Sequence, residues 1–326
     1  MALLDQSTST TDVDPLSQFA PEASTVIARL MANLWGVTDP DLLELVQARI
    51  SQLLRNESVR NGERIPSASA QLAALSQWPT SPLFSATERA ILGFTEQFIM
   101  DVAGVSAEQR SSLGELLDPA ELGGFVTALY LLDYGQRTQM ALDRLFPGSR
   151  SAALAPGDTA GASAPPARGL SLQGDVDALL MAIARLDSLD MVTTEVVRLR
   201  GARRHNCRIC QSTRSVKALD AGADEAMFDK IDHYESSDLV ESHKVALRLT
   251  DAIITQPTEI DPSLVAQVHQ YFTPPQITEI VLDVMRNSCQ KVAVALAVDD
   301  PHVTSGVELY ALTPDGDVEF LGAPTH

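Results

Sequence analysis

The chain contains 326 residues, of which 45% are hydrophobic and 21% charged, and it carries a formal net charge of −19 at pH 7. This length allows two domains of ordinary size, and the acidity argues against nucleic-acid binding, which requires a basic surface. No apolar stretch approaches the roughly 20 residues of a membrane-spanning helix, so we expect no membrane insertion. Three cysteines and a polar N-terminus without a secretory signal lead us to expect a cytoplasmic protein.

Apolar residues at spacings of three and four predict a series of helices in each half of the chain. Alanine and leucine are abundant, which also favours helix. An Asp-Pro pair at 118–119 and a Thr-Pro pair at 273–274 mark two helix starts, because proline is tolerated in the first turn. The predicted helices comprise residues 42–54, 87–102, 119–145, 191–204, 241–255 and 274–298.

Two segments depart from this helical pattern. Residues 149–174 are rich in Ala, Gly, Ser and Pro, and we interpret them as a flexible linker that divides the chain near its middle. Beyond residue 300, residues 307–311 and 317–321 alternate around Pro314-Asp315-Gly316, which predicts a β-hairpin. We interpret this hairpin as an appendage rather than as part of the helical core.

The two halves of the chain resemble each other. Three pairs of segments align in the same order, at offsets of 154 or 155 residues: 87–96 with 242–251, 117–122 with 272–277, and 134–142 with 288–296. One such match between amphipathic helices arises easily by chance, but three in order at a nearly constant offset do not. The alignment predicts a tandem duplication.

A Cys-x-x-Cys motif contains two of the three cysteines, Cys207 and Cys210, at a spacing that allows a disulfide between neighbouring turns. Six arginines lie around it, from Arg198 to Arg214. A thiol near cations and near a helix start ionises more easily, and the thiolate is its reactive form. The motif therefore predicts a redox-active dithiol, although the arginines are equally well explained as a helix face paired with acidic neighbours.

The local sequence also predicts a proton acceptor for this dithiol. We expect the preceding helix to end near Gly201 and a new one to begin with Asn206 as N-cap, which places Cys207 in the first turn. Glu195 lies twelve residues before Cys207. A break at Gly201 would let the Glu195 carboxylate face the thiols and accept a proton.

The spacing of Glu195, eleven residues, and Cys207-Arg208-Ile209-Cys210 resembles that of the carboxymuconolactone decarboxylase and alkylhydroperoxidase D-like superfamily. The run that begins at His205-Asn206 is similar to the family's usual Asn-Gly-Cys-x-x-Cys entry to its catalytic helix, and further similarity lies in residues 247–251 and 88–92. The resemblance implies an all-α protein of two such helical repeats in tandem, with a small C-terminal hairpin. Its parts would be a degenerate repeat at 1–148, the linker at 149–174, the repeat with the cysteines at 175–300, and the hairpin tail at 301–326.

The resemblance further implies that the cysteine pair reduces a small-molecule hydroperoxide and that a dithiol or a protein reductant restores it. In the peroxidase members the second cysteine attacks, which assigns attack to Cys210 and resolution to Cys207. The position of Cys207 at a helix start would by itself favour Cys207 as the more acidic thiol. We expect no cofactor and no metal, because zinc normally needs four ligands and His205 is the only third candidate nearby. Self-association is expected, since the family buries helical faces between units.

The motif departs from the family pattern in its histidines. A histidine usually follows the second cysteine by four residues, where this chain has Arg214, and peroxidase members also carry one where Ile209 stands. Arg214 and Arg208 could stabilise a thiolate, but arginine does not act as a base at neutral pH. His205 is the candidate substitute.

The first half lacks the cysteines. At an offset of 151 residues Glu44 matches Glu195, but Asn56 and Val59 stand at the cysteine positions, so we expect this half to have a structural role. The third cysteine, Cys289, lies on an apolar helix and is interpreted as a packing residue. Two alternative functions stay open beside peroxide reduction: a redox sensor or scaffold of the same fold without turnover, and a cysteine-independent lactone decarboxylase.

Overall fold

The structure is a computed structural model that describes residues 14–57, 69–149, 151–154 and 171–324. Within these ranges the chain is mostly helical. The helices of the first half are α1 Pro15–Phe19, α2 Pro21–Asn33, α3 Pro40–Leu54, α4 Ser69–Ala74, α5 Ala86–Met100, α6 Ala107–Gly114 and α7 Pro119–Leu145. Those of the second half are α8 Gln173–Ala184, α9 Met191–Arg204, α10 Arg208–Gln211, α11 Val216–Asp220, α12 Glu225–Phe228, α13 Glu241–Thr255, α14 Pro262–Tyr271, α15 Pro274–Ser288 and α16 Lys291–Leu296.

The helix bounds follow from local capping chemistry. At the start of α7, Asp118 accepts hydrogen bonds from the free N–H groups of Ala120 and Glu121. The predicted helices at 119–145, 191–204 and 241–255 are confirmed to the residue, and those at 42–54 and 87–102 to within two residues. The predicted helix at 274–298 is wrong in one respect, because it is divided into α15 and α16. Hydrogen bonds at three-residue spacing around Cys289 tighten the chain there, while the apolar periodicity continues across the break.

One continuous hydrophobic cluster takes buried residues from both halves of the chain, among them Leu30 and Leu129 from the first half and Ile253 and Ile280 from the second. Helix α7 packs against α15, and α2 packs against α8. The Tyr130 hydroxyl also donates to the Met285 carbonyl at 3.0 Å. The halves therefore share one core.

Residues that the internal alignment pairs meet at the contact between the halves. Arg137 and Lys291 both bind the buried Asp133 carboxylate, at 2.5 and 2.7 Å. Their aligned neighbours Tyr134 and Ser288 place their hydroxyl oxygens 3.0 and 3.1 Å from the same nitrogen, Nε2 of His205. Positions that the alignment pairs thus face a common buried polar cluster.

A small sheet lies beside the helices of the second half. Strand β1, Thr213–Ser215, pairs in parallel with β2, Glu308–Leu312, and β2 pairs antiparallel with β3, Val318–Gly322. The predicted C-terminal hairpin is confirmed. Its interpretation as an appendage is wrong, because β1 follows the cysteines directly and ties the hairpin to them. A strand of three residues is too short for its alternation to be read from sequence.

The turn of this hairpin contacts helix α8. Gly316 has a φ of +89°, and a Cβ atom built there would lie 2.5 Å from the carbonyl oxygen of Met181. Both the left-handed backbone and the close approach require glycine.

Among the helices of the described ranges, none combines the length and the apolar character that a bilayer crossing needs.

Candidate active site

The chain reverses between the helix of Glu195 and the cysteines at a Schellman motif. Helix α9 continues through Gly201 to Arg204, and Asn206 then adopts a left-handed conformation with φ of 51°. The N–H of Cys207 donates to the carbonyl of Ala202, five residues earlier. Helix α9 thus ends at Arg204, as the apolar periodicity over 191–204 predicts, whereas the break expected near Gly201 and the predicted N-cap role of Asn206 are wrong. Asn206 ends the first helix instead, because asparagine tolerates the left-handed region.

Helix α10 holds the two sulfurs together. Cys207 is its N-cap, and the Cys207 Sγ accepts a hydrogen bond from the Cys210 N–H at 3.3 Å. The two residues form a disulfide, with their Cα atoms 5.3 Å apart. Asp299 secures the start of this helix, since its carboxylate accepts from the Arg208 N–H and its carbonyl from the Ile209 N–H. Burial opposes the charge of Asp299, yet the hydrogen bonds from Arg208 lower its pKa below the ordinary value.

The two sulfurs differ in access. Cys207 is 1% exposed and belongs to the hydrophobic core, whereas Cys210 is half-buried and lines a cavity of about 250 Å³. The walls of this cavity come from α9, α10, the end of α15, and strands β1, β2 and β3. A small molecule in the cavity therefore meets Cys210, with Cys207 behind it.

Glu195 lies beneath this cavity, fully engaged in hydrogen bonds. Its carboxylate accepts two bonds from Arg198 at 2.7 Å each, one from the Ser215 N–H at 3.1 Å, and one from the Tyr310 hydroxyl at 2.9 Å. A carboxylate offers about four acceptor positions, so none is left for a thiol proton. This geometry disfavours direct proton transfer from Cys210 to Glu195.

Arg198 connects Glu195 to the backbone of the cysteine helix. Its guanidinium donates to the carbonyl of Cys210 at 2.9 Å and to the carbonyl of Thr213 at 2.7 Å. Burial opposes the charge of Arg198, but Glu195 raises its pKa above the ordinary value. The ion pair therefore fixes the position of Cys210 relative to α9.

Tyr310 on β2 is the part of the site that sequence reasoning missed. Burial raises the pKa of Tyr310 above its ordinary value, so the hydroxyl stays protonated and serves as a donor to Glu195. The alternation of the hairpin indicates that Tyr310 and Glu308 share a face, but no local signal connects either to residue 195. No local signal connects residue 195 to Arg286, Asn287 and Gln290 either, and these three residues also line the cavity.

The arginines around the cysteines are paired with acids. Arg208 binds Asp299 and Asp300, and Arg214 binds Glu225 at 2.7 Å while donating to two carbonyls. Each of the six has a carboxylate within 4.0 Å, and the remaining four pairs are Arg198 with Glu195, Arg200 with Asp251, Arg203 with Asp232, and Arg204 with Asp251. These partners offset much of the positive charge expected to act on the thiols.

His205 lies in the interior rather than in the cavity wall. It is 6% exposed and contacts Tyr134 and Ser288. Burial, together with the charges of Lys291 and Arg137, lowers the pKa of His205 well below its ordinary value. The imidazole of His205 is therefore neutral, and it contacts Tyr134 of the first half. His205 is not among the residues that line the cavity.

The corresponding region of the first half holds an amide cluster. Asn56, at the position aligned with Cys207, is buried, and its Nδ2 donates to Gln136 Oε1 at 3.0 Å. Gln136 aligns with Gln290, which lines the cavity of the second half. Glu44 is buried like Glu195. Val59 lies outside the described residues. At the position of the first cysteine, the first half therefore has a hydrogen-bonded amide in place of a thiol.

Two remaining features concern ligands and the third cysteine. Over the described ranges, no three His, Cys, Asp or Glu side chains are grouped as a metal site requires. Cys289 is partly buried, and loss of water around its sulfur raises the pKa of Cys289 to about 12. It therefore stays a thiol at neutral pH.

The chain has relatives in mycobacteria. It is 35% identical over 286 residues to the uncharacterized protein Rv2313c of Mycobacterium tuberculosis (strain ATCC 25618 / H37Rv), an alignment that covers 86% of this chain and 96% of that protein. The uncharacterized protein MT2376 of strain CDC 1551 / Oshkosh gives the same identity and coverage. No family model matches the chain, and no solved structure matches it at a significant level. The chain belongs to the family of these two mycobacterial proteins.

Proposed function

We propose that the chain is a thiol-dependent oxidoreductase that reduces hydroperoxides through Cys210 and Cys207. The observation that carries this proposal is a Cys-x-x-Cys pair with one sulfur buried and the other lining a small cavity. The resemblance to the alkylhydroperoxidase D-like superfamily supports it, and also supports assigning residues 1–148 and 175–300 to two tandem repeats of that fold. A reducing compartment such as the cytoplasm would supply the dithiol form.

In the oxidative half of the cycle, the Cys210 thiol loses its proton and its Sγ attacks the terminal oxygen of the hydroperoxide. The O–O bond breaks, the alkoxide takes up a proton and leaves as an alcohol, and Cys210 becomes a sulfenic acid. The Cys207 sulfur then attacks the Cys210 Sγ, and the hydroxyl group leaves with a proton as water. The product is the Cys207–Cys210 disulfide observed here.

In the reductive half, a dithiol reductant attacks the accessible sulfur, that of Cys210. The S–S bond breaks and Cys207 leaves as a thiolate. The hydrogen bond from the Cys210 N–H to the Cys207 Sγ stabilises this leaving group. The second thiol of the reductant then releases Cys210. The acidity expected for Cys207 and the attacking role of Cys210 are thus compatible, since each belongs to a different half of the cycle.

Glu195 takes a positioning role in this mechanism. Its four hydrogen bonds hold Arg198, which holds the Cys210 carbonyl, and they hold the Tyr310 hydroxyl at the cavity. The thiol proton passes to water in the cavity, because no free base lines it. We expect slower peroxide reduction than in members of the alkylhydroperoxidase D-like superfamily that have the relay histidine.

Stopped-flow mixing of the reduced protein with cumene hydroperoxide tests the proposal. We expect two thiols to be lost per chain for each alcohol formed, and no alcohol from the Cys210→Ser variant. Cys289→Ala is the matched control, since Cys289 stays protonated, and it should behave as the unsubstituted chain. If the reduced protein loses no thiols on mixing with cumene hydroperoxide, the proposal is refuted.

The engaged state of Glu195 favours a second candidate, a redox sensor that oxidises once and does not turn over. In this case the thiols would react with peroxide, but a dithiol reductant would not sustain alcohol formation. Multiple turnovers with dithiothreitol exclude the sensor, and a single turnover excludes the peroxidase.

A further inference from the structure

A cation without an acidic partner lines the same cavity as Cys210. Arg286, in the last turn of α15, donates from Nε to the Leu180 carbonyl at 3.1 Å, and within the described ranges no carboxylate lies within 4.0 Å of it. Asp283, one turn earlier, does not neutralise it, because burial raises the pKa of Asp283 to about 8. Two exposed acids, Asp177 and Asp317, line an adjoining cavity that shares Arg286, Asn287, Gln290 and Val318 with this one.

An unused donor lies beside this cation. The Nδ2 atom of Asn287 is buried and has no hydrogen-bond partner among the described residues, and Asn287 lines the cavity together with Arg286. A buried amide N–H without an acceptor destabilises the folded chain. An acceptor atom of a ligand in the cavity would satisfy it.

The rest of the cavity wall suits the apolar body of a small ligand. Ile209, Val318 and Phe320 contribute apolar surface, and no acidic side chain is among the lining residues. Arg198 also lines the cavity, but its charge is paired with Glu195. In a chain of net charge −19, a cavity whose described lining holds no acid, and an arginine with no carboxylate within 4.0 Å among the described residues, are a local exception that favours anions.

We propose that this cavity binds a small organic carboxylate, with the carboxylate on the Arg286 guanidinium and the Asn287 amide and the apolar body against Phe320. The substrates of the proposed reaction are then carboxylate-bearing hydroperoxides, a statement that rests on the proposed function. The binding site itself does not require any thiol chemistry. At about 250 Å³ the cavity accommodates a ligand of roughly single-ring size.

Binding is tested by calorimetry with 4-isopropylbenzoate and its uncharged analogue 4-isopropylbenzyl alcohol, on the full chain and on its Cys207→Ser/Cys210→Ser variant. We expect both proteins to prefer the acid, and Arg286→Gln to bind it roughly ten- to hundred-fold more weakly. Arg144→Gln makes the same charge change at an exposed position on α7 and should leave the affinity unchanged.

Asn287→Leu separates a binding role from a structural one. Because it removes a buried donor without a partner, we expect an unchanged or higher melting temperature together with weaker binding of the acid. Equal affinity for acid and alcohol, or Arg286→Gln binding as tightly as the unsubstituted chain, would overturn the site.

Kinetics separate the site from the reaction. The matched substrates are cumene hydroperoxide and its para-carboxylate, and we expect a higher kcat/KM for the carboxylate, with the ratio of the two falling toward one in Arg286→Gln. If neither hydroperoxide oxidises the thiols while 4-isopropylbenzoate binds as described, the function fails and the anion site stands. If both react equally and 4-isopropylbenzoate does not bind, the anion site fails and the function stands.

Discussion

The ion pair between Arg198 and Glu195 is the structural support of the proposed site, and the Arg198→Met variant measures it. Glu195 is 1% exposed, so removing the arginine leaves a buried carboxylate whose charge is no longer compensated. Breaking a buried pair in this way typically costs about 3–5 kcal/mol. The carbonyls of Cys210 and Thr213 also lose their donor, which places the expected loss in the upper part of that range.

The assay is urea unfolding of the oxidised protein at pH 7, with the free energy of unfolding compared among single and double variants. Glu195→Gln combined with Arg198→Met removes both charges, so we expect the double variant to be more stable than Arg198→Met alone. A loss below about 1 kcal/mol for Arg198→Met, or strictly additive effects in the double variant, would refute the account of a buried pair that organises the site.

Three further predictions concern Tyr310, His205 and Cys289. Tyr310→Phe removes one hydrogen bond to a charged acceptor and should lower the free energy of unfolding by about 1.5–3 kcal/mol. An unchanged value would show that the contact between the hairpin and Glu195 does not stabilise the fold. Burial lowers the pKa of His205 in the folded chain, so its contribution to stability is present above the unfolded pKa near 6.5 and is lost as pH falls below it. The loss reaches up to about 1.4 kcal/mol per pH unit. His205→Gln should remove this contribution to the pH dependence of the free energy of unfolding, measured in urea from pH 7 to 5. Glu279, with a raised pKa of about 7, gives the opposite slope in both proteins and cancels in the comparison, so equal slopes would contradict the assignment to His205. In the reduced protein, Cys289→Ala should leave the rate and amplitude of thiol alkylation at pH 7 unchanged, because the pKa of Cys289 is about 12. An amplitude lower by one thiol per chain would show that Cys289 reacts.

Local sequence signals predicted the helices well where proline and a capping side chain mark the start. Helix α7 begins at Pro119 because Asp118 satisfies free N–H groups, and both residues are visible in the sequence. The division between α15 and α16 was not predictable, because apolar periodicity continues across Cys289 and only the hydrogen-bond spacing changes.

The site was predictable in its residues but not in its connections. The Cys207–Cys210 motif and Glu195 stand out by spacing. The partner of Glu195, Tyr310, lies 115 residues away in sequence, and only the three-dimensional structure brings it there. Asn206 was predicted to begin a helix, but it follows the end of one. Asparagine is common both at N-caps and in left-handed positions after helices, so the sequence does not distinguish the two.

The role of the arginines shows the same limit. Composition indicates a positive cluster in an acidic chain. Arg198 pairs locally with Glu195, but other pairings depend on carboxylates from distant segments, such as Asp299 for Arg208. Arg286, the cavity arginine that has no carboxylate within 4.0 Å among the described residues, lies outside that cluster in the sequence. Of the two interpretations that the sequence left open for the cluster, pairing with acidic neighbours is confirmed.

The central claim is that Cys210 attacks the peroxide and Cys207 resolves it. Intact-mass measurement after one addition of cumene hydroperoxide tests this directly, with Cys207→Ser and Cys210→Ser each prepared in the Cys289→Ala background. The account predicts one added oxygen atom in Cys207→Ser, trapped as a sulfenic acid on Cys210, and an unchanged mass in Cys210→Ser. An added oxygen in Cys210→Ser with none in Cys207→Ser would contradict it.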